Sequence, residues 1–560
     1  MKTLVRHFFY GLFDFGVLSE AGSDALKRVL IGIIAAMLTF GLLLARILVS
    51  AISGPAAVSV TPPPYHAAFE AFVIGFPMLI VAFATLLVSQ SLFPDETDFR
   101  VLLVLPVSRR VVFLSKLAAL ALFAAVFIVA AHTAMLPLFA IISGGRQARD
   151  SLATRFAAHL VASVSGSALV VMALIAMNGA VLVMVPRSRL RAAATAMRSA
   201  MLCAMVLCIP LAAKLPATAP LLAAESRAMY LVPPAWFLGV EELLLGHRSP
   251  YFTRLAGIAA ITSAVSLAVA AGTYLRLYRR FDRIMMRPAH ASVGSRWWNV
   301  PLFERVNRRH ANGAAITSFI RMTLERSPLH QGVFVAVAAC GAGVILNSLL
   351  GVKALPRLRR TYEDELAAVL TWAPFALMFA MTIAVRAALV LPIEPRANWV
   401  FRMTEHDSAR VDQVEAVVRS MIRLGVVLPL LILLPFQWVM FHGQAIASTA
   451  VTLAAGIVLV EIEMSEWRRL PFTCSYMPGK RFVGLTALVG FTVFVVFTSV
   501  GAGLAYSSRM HPIGALIFLA ILGTIVWERR LRRARLTRHT PLLFEDALPT
   551  EIEPLRLSVD

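Results

Sequence analysis

Apolar runs of about 20 residues recur through nearly the whole of this chain, each long enough to cross a bilayer as a helix. Lipid offers no hydrogen-bond partners, so a crossing backbone must satisfy itself as a helix or a closed barrel. A barrel would show weakly alternating segments of about ten residues, whereas long unbroken apolar runs stand here. Only 15% of the 560 residues are charged and 59% are hydrophobic, with a mean hydropathy of +0.77. A soluble domain carries roughly 25% charged residues. The expected fold is an all-α polytopic membrane protein.

The runs predict about 12 transmembrane helices as two six-helix halves, with short amphipathic interfacial helices. The first six spans are expected near 29–53, 68–92, 117–142, 156–185, 199–222 and 252–275. The second six are expected near 329–352, 366–390, 420–441, 444–465, 482–506 and 512–528. This divides the chain into an amphipathic leader (1–28), a first half (29–275), a basic linker with its own amphipathic helix (276–328), a second half (329–528) and a tail (529–560). The first run follows a polar, aromatic leader without an A-x-A-like cleavage site, so it reads as a retained span.

Net charge is +22, which by itself suggests nucleic acid, but the distribution points to the membrane. By proposed loop, about 39 of the 53 Lys and Arg fall on one side and about 12 on the other. That asymmetry is the positive-inside signal, and it sets both termini in the cytoplasm. Attraction to anionic membrane lipids accounts for the rest, and no nucleic-acid partner is expected. The four cysteines, Cys203, Cys208, Cys340 and Cys474, form no CxxC pair and support neither a disulfide framework nor a zinc site. The sequence contains no GxxxxGK[ST], HExxH or GxSxG. Catalytic residues, cofactors and metals are therefore not expected.

The polar stretch between the second and third spans, FPDETDFRVLLVLPVSRRVVFLSK (Phe93–Lys116), carries the strongest functional signal. Asp95, Glu96 and Asp98 favour a helix start, Pro106 discourages its continuation, and Ser108 can cap the next helix. Arg109 and Arg110 then stand at the water boundary. Leu103–Arg110 reads LVLPVSRR and Leu389–Arg396 reads LVLPIEPR, a five-of-eight match after the second span of each half. Each half also opens amphipathically. Phe8, Phe9, Tyr10, Phe13 and Phe15 line the first such segment. In the second, Ile316, Phe319, Ile320 and Leu324 recur at helical spacing, with Ser327-Pro328 as cap and first-turn proline. Pro233-Pro234-Ala235-Trp236-Phe237 predicts a short helix at the outer lip, as an interfacial anchor or a lid.

Ionisable residues inside spans cost about 2.5–3.5 kcal/mol at mid-bilayer, so each is a candidate. Arg46 and Glu70 are expected to pair across the first hairpin. Arg386 is expected to snorkel. Glu461, Glu463 and Glu466 read as a solvated helix end, with a proton relay as the alternative. His132 and His159 stand across one hairpin, as polar packing or as a metal pair.

The Phe93–Lys116 segment resembles the cytoplasmic loop of ABC transporter permeases of the type-2 exporter class, through Leu105-Pro106-Val107-Ser108-Arg109 and then Phe113, Ser115 and Lys116. The opening amphipathic helix, six spans per half and the Pro-Trp helix look like that class too. The resemblance implies a permease in a bacterial cytoplasmic (inner) membrane, without an ATPase of its own and driven by a separate cytoplasmic ABC ATPase subunit. Asp95, Glu96, Asp98, Arg100, Arg109 and Arg110 would face that ATPase. Many such permeases carry one six-span unit per chain and pair, whereas this chain shows two, which leaves both a self-sufficient unit and a homodimer open. An ion-gradient-driven secondary transporter and a lipid-linked-sugar glycosyltransferase are the other readings.

Overall fold

A computed structural model of the chain describes residues 2–12, 63–89, 108–144, 151–285, 311–352, 361–392, 403, 407–465, 467–473 and 483–542. Among these the protein is all-helical, without strands, and has ten helical stretches long and apolar enough to cross a membrane. One of them, 410–463, has 54 residues, roughly 80 Å at 1.5 Å per residue, too long for a single crossing of about 30 Å. It breaks at His442, whose φ is 52°, into two separate spans. The expected first span, near 29–53, lies outside the described residues. The chain divides into two compact units, Met1–Val293 and Gly294–Asp560, with the division inside the stretch expected to be a linker.

In the first unit, α1 (Lys2–Gly11) is short and amphipathic, and α2 (Pro63–Leu87), α3 (Arg109–Gly144), α4 (Leu152–Met184) and α5 (Arg187–Ala213) are long. The Ser151 hydroxyl accepts from the Thr154 N–H at 3.1 Å, capping α4. Beyond Lys214 come a 3-10 turn, the five-residue α6 (Ala219–Ala223) and a second 3-10 turn. Then follow α7 (Pro233–Leu244) and α8 (Pro250–Met285). The long span α2 is 72% buried and packs on α3, α4, α5 and α7.

The second unit contains α9 (Ala311–Arg326), α10 (Pro328–Leu349), α11 (Tyr362–Val390) and α12 (Asp407–Met421). A π-helical turn, Ile422–Val427, joins α12 to α13 (Leu428–Phe441). Then come α14 (Ala445–Glu463), α15 (Val483–Met510) and α16 (Pro512–His539). A full capping box of Thr361 and Asp364 starts α11, and Glu363 and Glu365 suit the positive end of its dipole. At 78% buried, α11 holds the same central place in its unit as α2 does in the first. The other candidate spans are buried by half or less, which leaves their apolar faces for lipid.

The two units repeat one packing plan. An amphipathic opening helix lies against the start of the third span (α1 on α3, α9 on α12), and the second span touches the third, fourth and fifth in each. The fourth packs on the last, α4 on α8 and α14 on α16. What differs is the stretch before the last span. In the second unit only His511 separates α15 from α16. In the first, α7 fills that interval and is no surface anchor: Phe237, Leu238, Glu241 and Glu242 are all buried, in a core shared with α2, α4 and α8. Gly239 permits this, because a Cβ there would come within 2.7 Å of Leu255 Cβ and 2.8 Å of the Phe252 carbonyl oxygen.

Candidate functional site

Five groups of polar residues stand out, two in the first unit and three in the second. The first gathers where α3 begins. Helix α3 starts at Arg109, directly after Ser108, whose carbonyl accepts from Val111 and Val112. Arg110 is exposed on its first turn. Phe113 sets its ring edge-on to Tyr274 and Tyr278 of α8, at 5.7 and 5.1 Å, and its carbonyl accepts from the Tyr274 hydroxyl at 3.2 Å. One turn on, Lys116 is buried with its Nζ 5.0 Å from the Phe8 ring of α1, a cation–π contact in a site poor in water. The F-x-x-K spacing thus ties α3 to α8 through one residue and to α1 through the other. Of the residues expected to face an ATPase, Asp95, Glu96, Asp98 and Arg100 lie outside the described residues.

At the far end of the same unit, α7 brings two buried carboxylates into the bundle. His159 Nδ1 donates to Glu241 Oε2 at 3.1 Å while its ring stacks on Phe139 at 4.2 Å. His247 Nδ1 donates to Glu242 Oε2 at 2.6 Å. His132 uses both ring nitrogens on partners other than His159. Its Nδ1 donates to the Ile128 carbonyl at 2.6 Å, which leaves Nε2 to accept from the Ser163 hydroxyl at 2.7 Å. Glu70 of α2 is also buried, and Arg46, its expected partner, lies outside the described residues. No group of three or more His, Cys, Asp or Glu suited to a metal occurs among the described residues.

The second unit corrects one expectation outright. Glu461 is not on a solvated helix end: it is fully buried at the end of α14. Its Oε1 accepts from Arg530 Nε at 3.1 Å and its Oε2 from Arg533 Nη1. Arg533 Nη2 then reaches Glu415 Oε2 of α12 at 2.7 Å. Arg530 and Arg533 share a face of α16 by their i, i+3 spacing, and Arg533, held between Glu461 and Glu415, ties α14, α16 and α12 together. Burying Glu461 demands this, since a lone carboxylate in an apolar bundle would cost several kcal/mol. Arg386 is exposed, as expected for a snorkelling residue, and donates to the Glu463 carbonyl at 3.0 Å. Glu466 lies outside the described residues.

Close by, the end of α11 is clamped. Its last carbonyls have no partner within the helix. The Phe472 N–H donates to Leu389 at 3.0 Å, and His330 Nε2 donates to Leu391 at 3.0 Å. His330 Nδ1 in turn accepts from the Ser327 hydroxyl at 2.6 Å. Ser327 was expected to cap α10; its side chain makes no capping bond and serves His330 instead. Phe319 of α9 and His330 of α10 both meet the Phe472 ring edge-on. As its spacing predicts, α9 buries Ile316 and Ile320, while Arg321 pairs with Glu325 at 3.9 Å off that face.

The fifth group surrounds Arg509 near the end of α15. A guanidinium with no carboxylate partner among the described residues is buried there, under the ring of Phe441. The sequence signal that finds such places is the lone charge in an apolar run, and Arg509 stood close enough to a span end to pass as interfacial. No protein-family model, no curated protein and no solved structure matches the chain.

Proposed function

We propose that the chain is the membrane-spanning subunit of an ATP-driven exporter in a bacterial cytoplasmic membrane, with both termini cytoplasmic. A separate ABC ATPase would bind the loop that enters α3 and its counterpart before α12. The observation that carries the reading is the repeated plan. In each unit an amphipathic helix is packed on the first turns of the third span, where the loop from the second span arrives. A push on that loop reaches α1 and α8 through Lys116 and Phe113 in the first unit. In the second it reaches α9 and the clamped end of α11. Asp95, Glu96, Asp98, Arg100, Arg109 and Arg110 are the proposed contact residues, with Arg110 exposed as that role requires.

The test is co-purification of the chain with a partner ATPase, followed by charge reversal at Arg109 and Arg110 and, separately, at Asp95, Glu96 and Asp98. Loss of the complex or of membrane-stimulated ATP hydrolysis supports the proposal. Unchanged coupling in both sets refutes it. A secondary transporter is the competing reading, favoured by the buried Glu241–His159 pair. Transport that persists without any ATPase and stops with an uncoupler would establish it instead.

A further inference from the structure

Arg509 is 93% covered, a value set by its 7% exposure. Its Nη2 donates to the Thr371 hydroxyl at 2.8 Å, and its guanidinium carbon lies 3.8 Å from the Phe441 ring centroid. Nη1 is buried without any hydrogen-bond partner. Removing a guanidinium from water costs several kcal/mol unless an anion compensates, and no acidic residue among the described ones reaches it. A hydroxyl, a ring face and the negative end of α15 offset only part of that.

Next to it stands a complementary deficit. Gln437, one turn before Phe441 on α13, is buried. Its Nε2 donates to the Leu370 carbonyl at 3.1 Å, and its Oε1 has no partner. An unpaired cationic donor and an unpaired acceptor are thus anchored on adjacent residues of α11, Leu370 and Thr371. Buried polar groups are normally satisfied, and these two orphans of opposite type both neighbour Phe441, one under its ring and the other a turn before it on α13. A ligand with acid oxygens for the guanidinium and a hydroxyl for the amide oxygen would satisfy both. Tyr506 and Trp438, both half exposed or more, stand at the surface nearby, and aromatic residues of this kind sit at the headgroup level of a bilayer. The Tyr506 ring lies 5.8 Å from the guanidinium.

We propose that Arg509, Thr371 and Gln437 bind the headgroup of an anionic amphiphile that carries a hydroxyl beside its acid group. The proposal deepens the transport reading by giving the cargo or a bound lipid a chemical class. It is tested on the chain alone, so its failure is distinct from a failure of ATPase coupling.

The experiment follows thermal unfolding of the purified chain in a neutral detergent during separate titrations with phosphatidylglycerol, a long-chain fatty acid, phosphatidylcholine and inorganic phosphate. Phosphatidylglycerol should raise the midpoint most, the fatty acid less and phosphatidylcholine little. A rise with inorganic phosphate alone would assign the site to a free anion rather than a headgroup and would overturn the amphiphile. Arg509→Met should weaken phosphatidylglycerol binding by at least about tenfold while leaving the unliganded protein as stable as the parent or more so, because it removes an uncompensated charge. Arg509→Lys keeps the charge without the planar fork, and should bind with intermediate strength. Three further results would overturn the proposal: no midpoint shift in the parent with any probe, an unchanged shift in either variant, or an unliganded Arg509→Met protein that unfolds far more easily or does not fold. The last would make Arg509 a structural cation.

Discussion

Replacing Glu461 with Leu would remove the carboxylate that joins α14 to Arg530 and Arg533 of α16, and would leave Arg533 its link to α12. The two arginines it serves differ in exposure, and that difference sets the expected magnitudes. Arg533 is 6% exposed and would keep only Glu415, itself 34% exposed. Leaving a buried charge short of its partner costs about 3–5 kcal/mol. Arg530 is 46% exposed, so water replaces the lost carboxylate and its share is about 0–1 kcal/mol. Arg533→Met should therefore cost about 3–5 kcal/mol as well, by leaving the fully buried Glu461 with only the half-exposed Arg530, and Arg530→Ala at most about 1 kcal/mol. The double variant Glu461→Leu/Arg533→Met takes both buried charges away and keeps the volume filled. Such replacements are often neutral or stabilising, so the double variant should be more stable than either single one. The coupling energy from the cycle should then reach at least about 2 kcal/mol. Denaturant unfolding in mixed micelles, read by tryptophan fluorescence, gives all four values. A double variant that loses the sum of the two single losses would refute the reasoning, as would an Arg533→Met protein as stable as the parent.

The same logic applies to the carboxylates of α7. His159→Leu strands Glu241 and should cost about 3 kcal/mol, whereas Glu241→Gln keeps a hydrogen bond to His159 and should cost about 1 kcal/mol; unfolding midpoints of the two proteins should differ in that order. Gly425 in the π turn leaves no room for a methyl, since a Cβ would meet Thr382 Cγ2 at 2.6 Å and its Cα at 3.1 Å. Gly425→Ala should destabilise by about 1–3 kcal/mol. Gly257→Ala on α8, where nothing lies within 4 Å, should stabilise by up to about 1 kcal/mol, and the pair measured together controls for helix propensity.

Much of the helical layout is legible in the sequence, because an apolar run in lipid has one economical conformation. The run expected near 366–390 is α11 at Tyr362–Val390, and the helix expected to start after Ser108 does so. What stays hidden is whatever depends on a partner distant in the chain. Glu461 looks like part of an acidic, solvated helix end because its neighbours are Glu463 and Glu466; its partners are Arg530 and Arg533, about 70 residues on. Helix α7 has the Trp and Pro of an interfacial anchor, and only the fit of Gly239 against Leu255 and Phe252 reveals a helix packed inside the bundle. Ser327 has the residue type and position of a cap, but its hydroxyl turns to donate to a histidine three residues on, which Leu391 fixes in place. The π turn leaves no mark that periodicity over so few residues can register.

That turn has a bearing on how the chain can change length. A wide turn of the Ile422–Val427 kind accommodates one residue more than α-helical winding needs, while the helices on either side keep their facing. A one-codon deletion inside it would be absorbed as ordinary α-helix, with Glu415 still directed at Arg533. The same deletion anywhere between Glu415 and the turn would swing Glu415 by about 100° around the helix axis and off its partner. Ile422–Val427 is the expansion joint of the second unit, the one place along α12 and α13 where the count of residues and the direction of the side chains are independent.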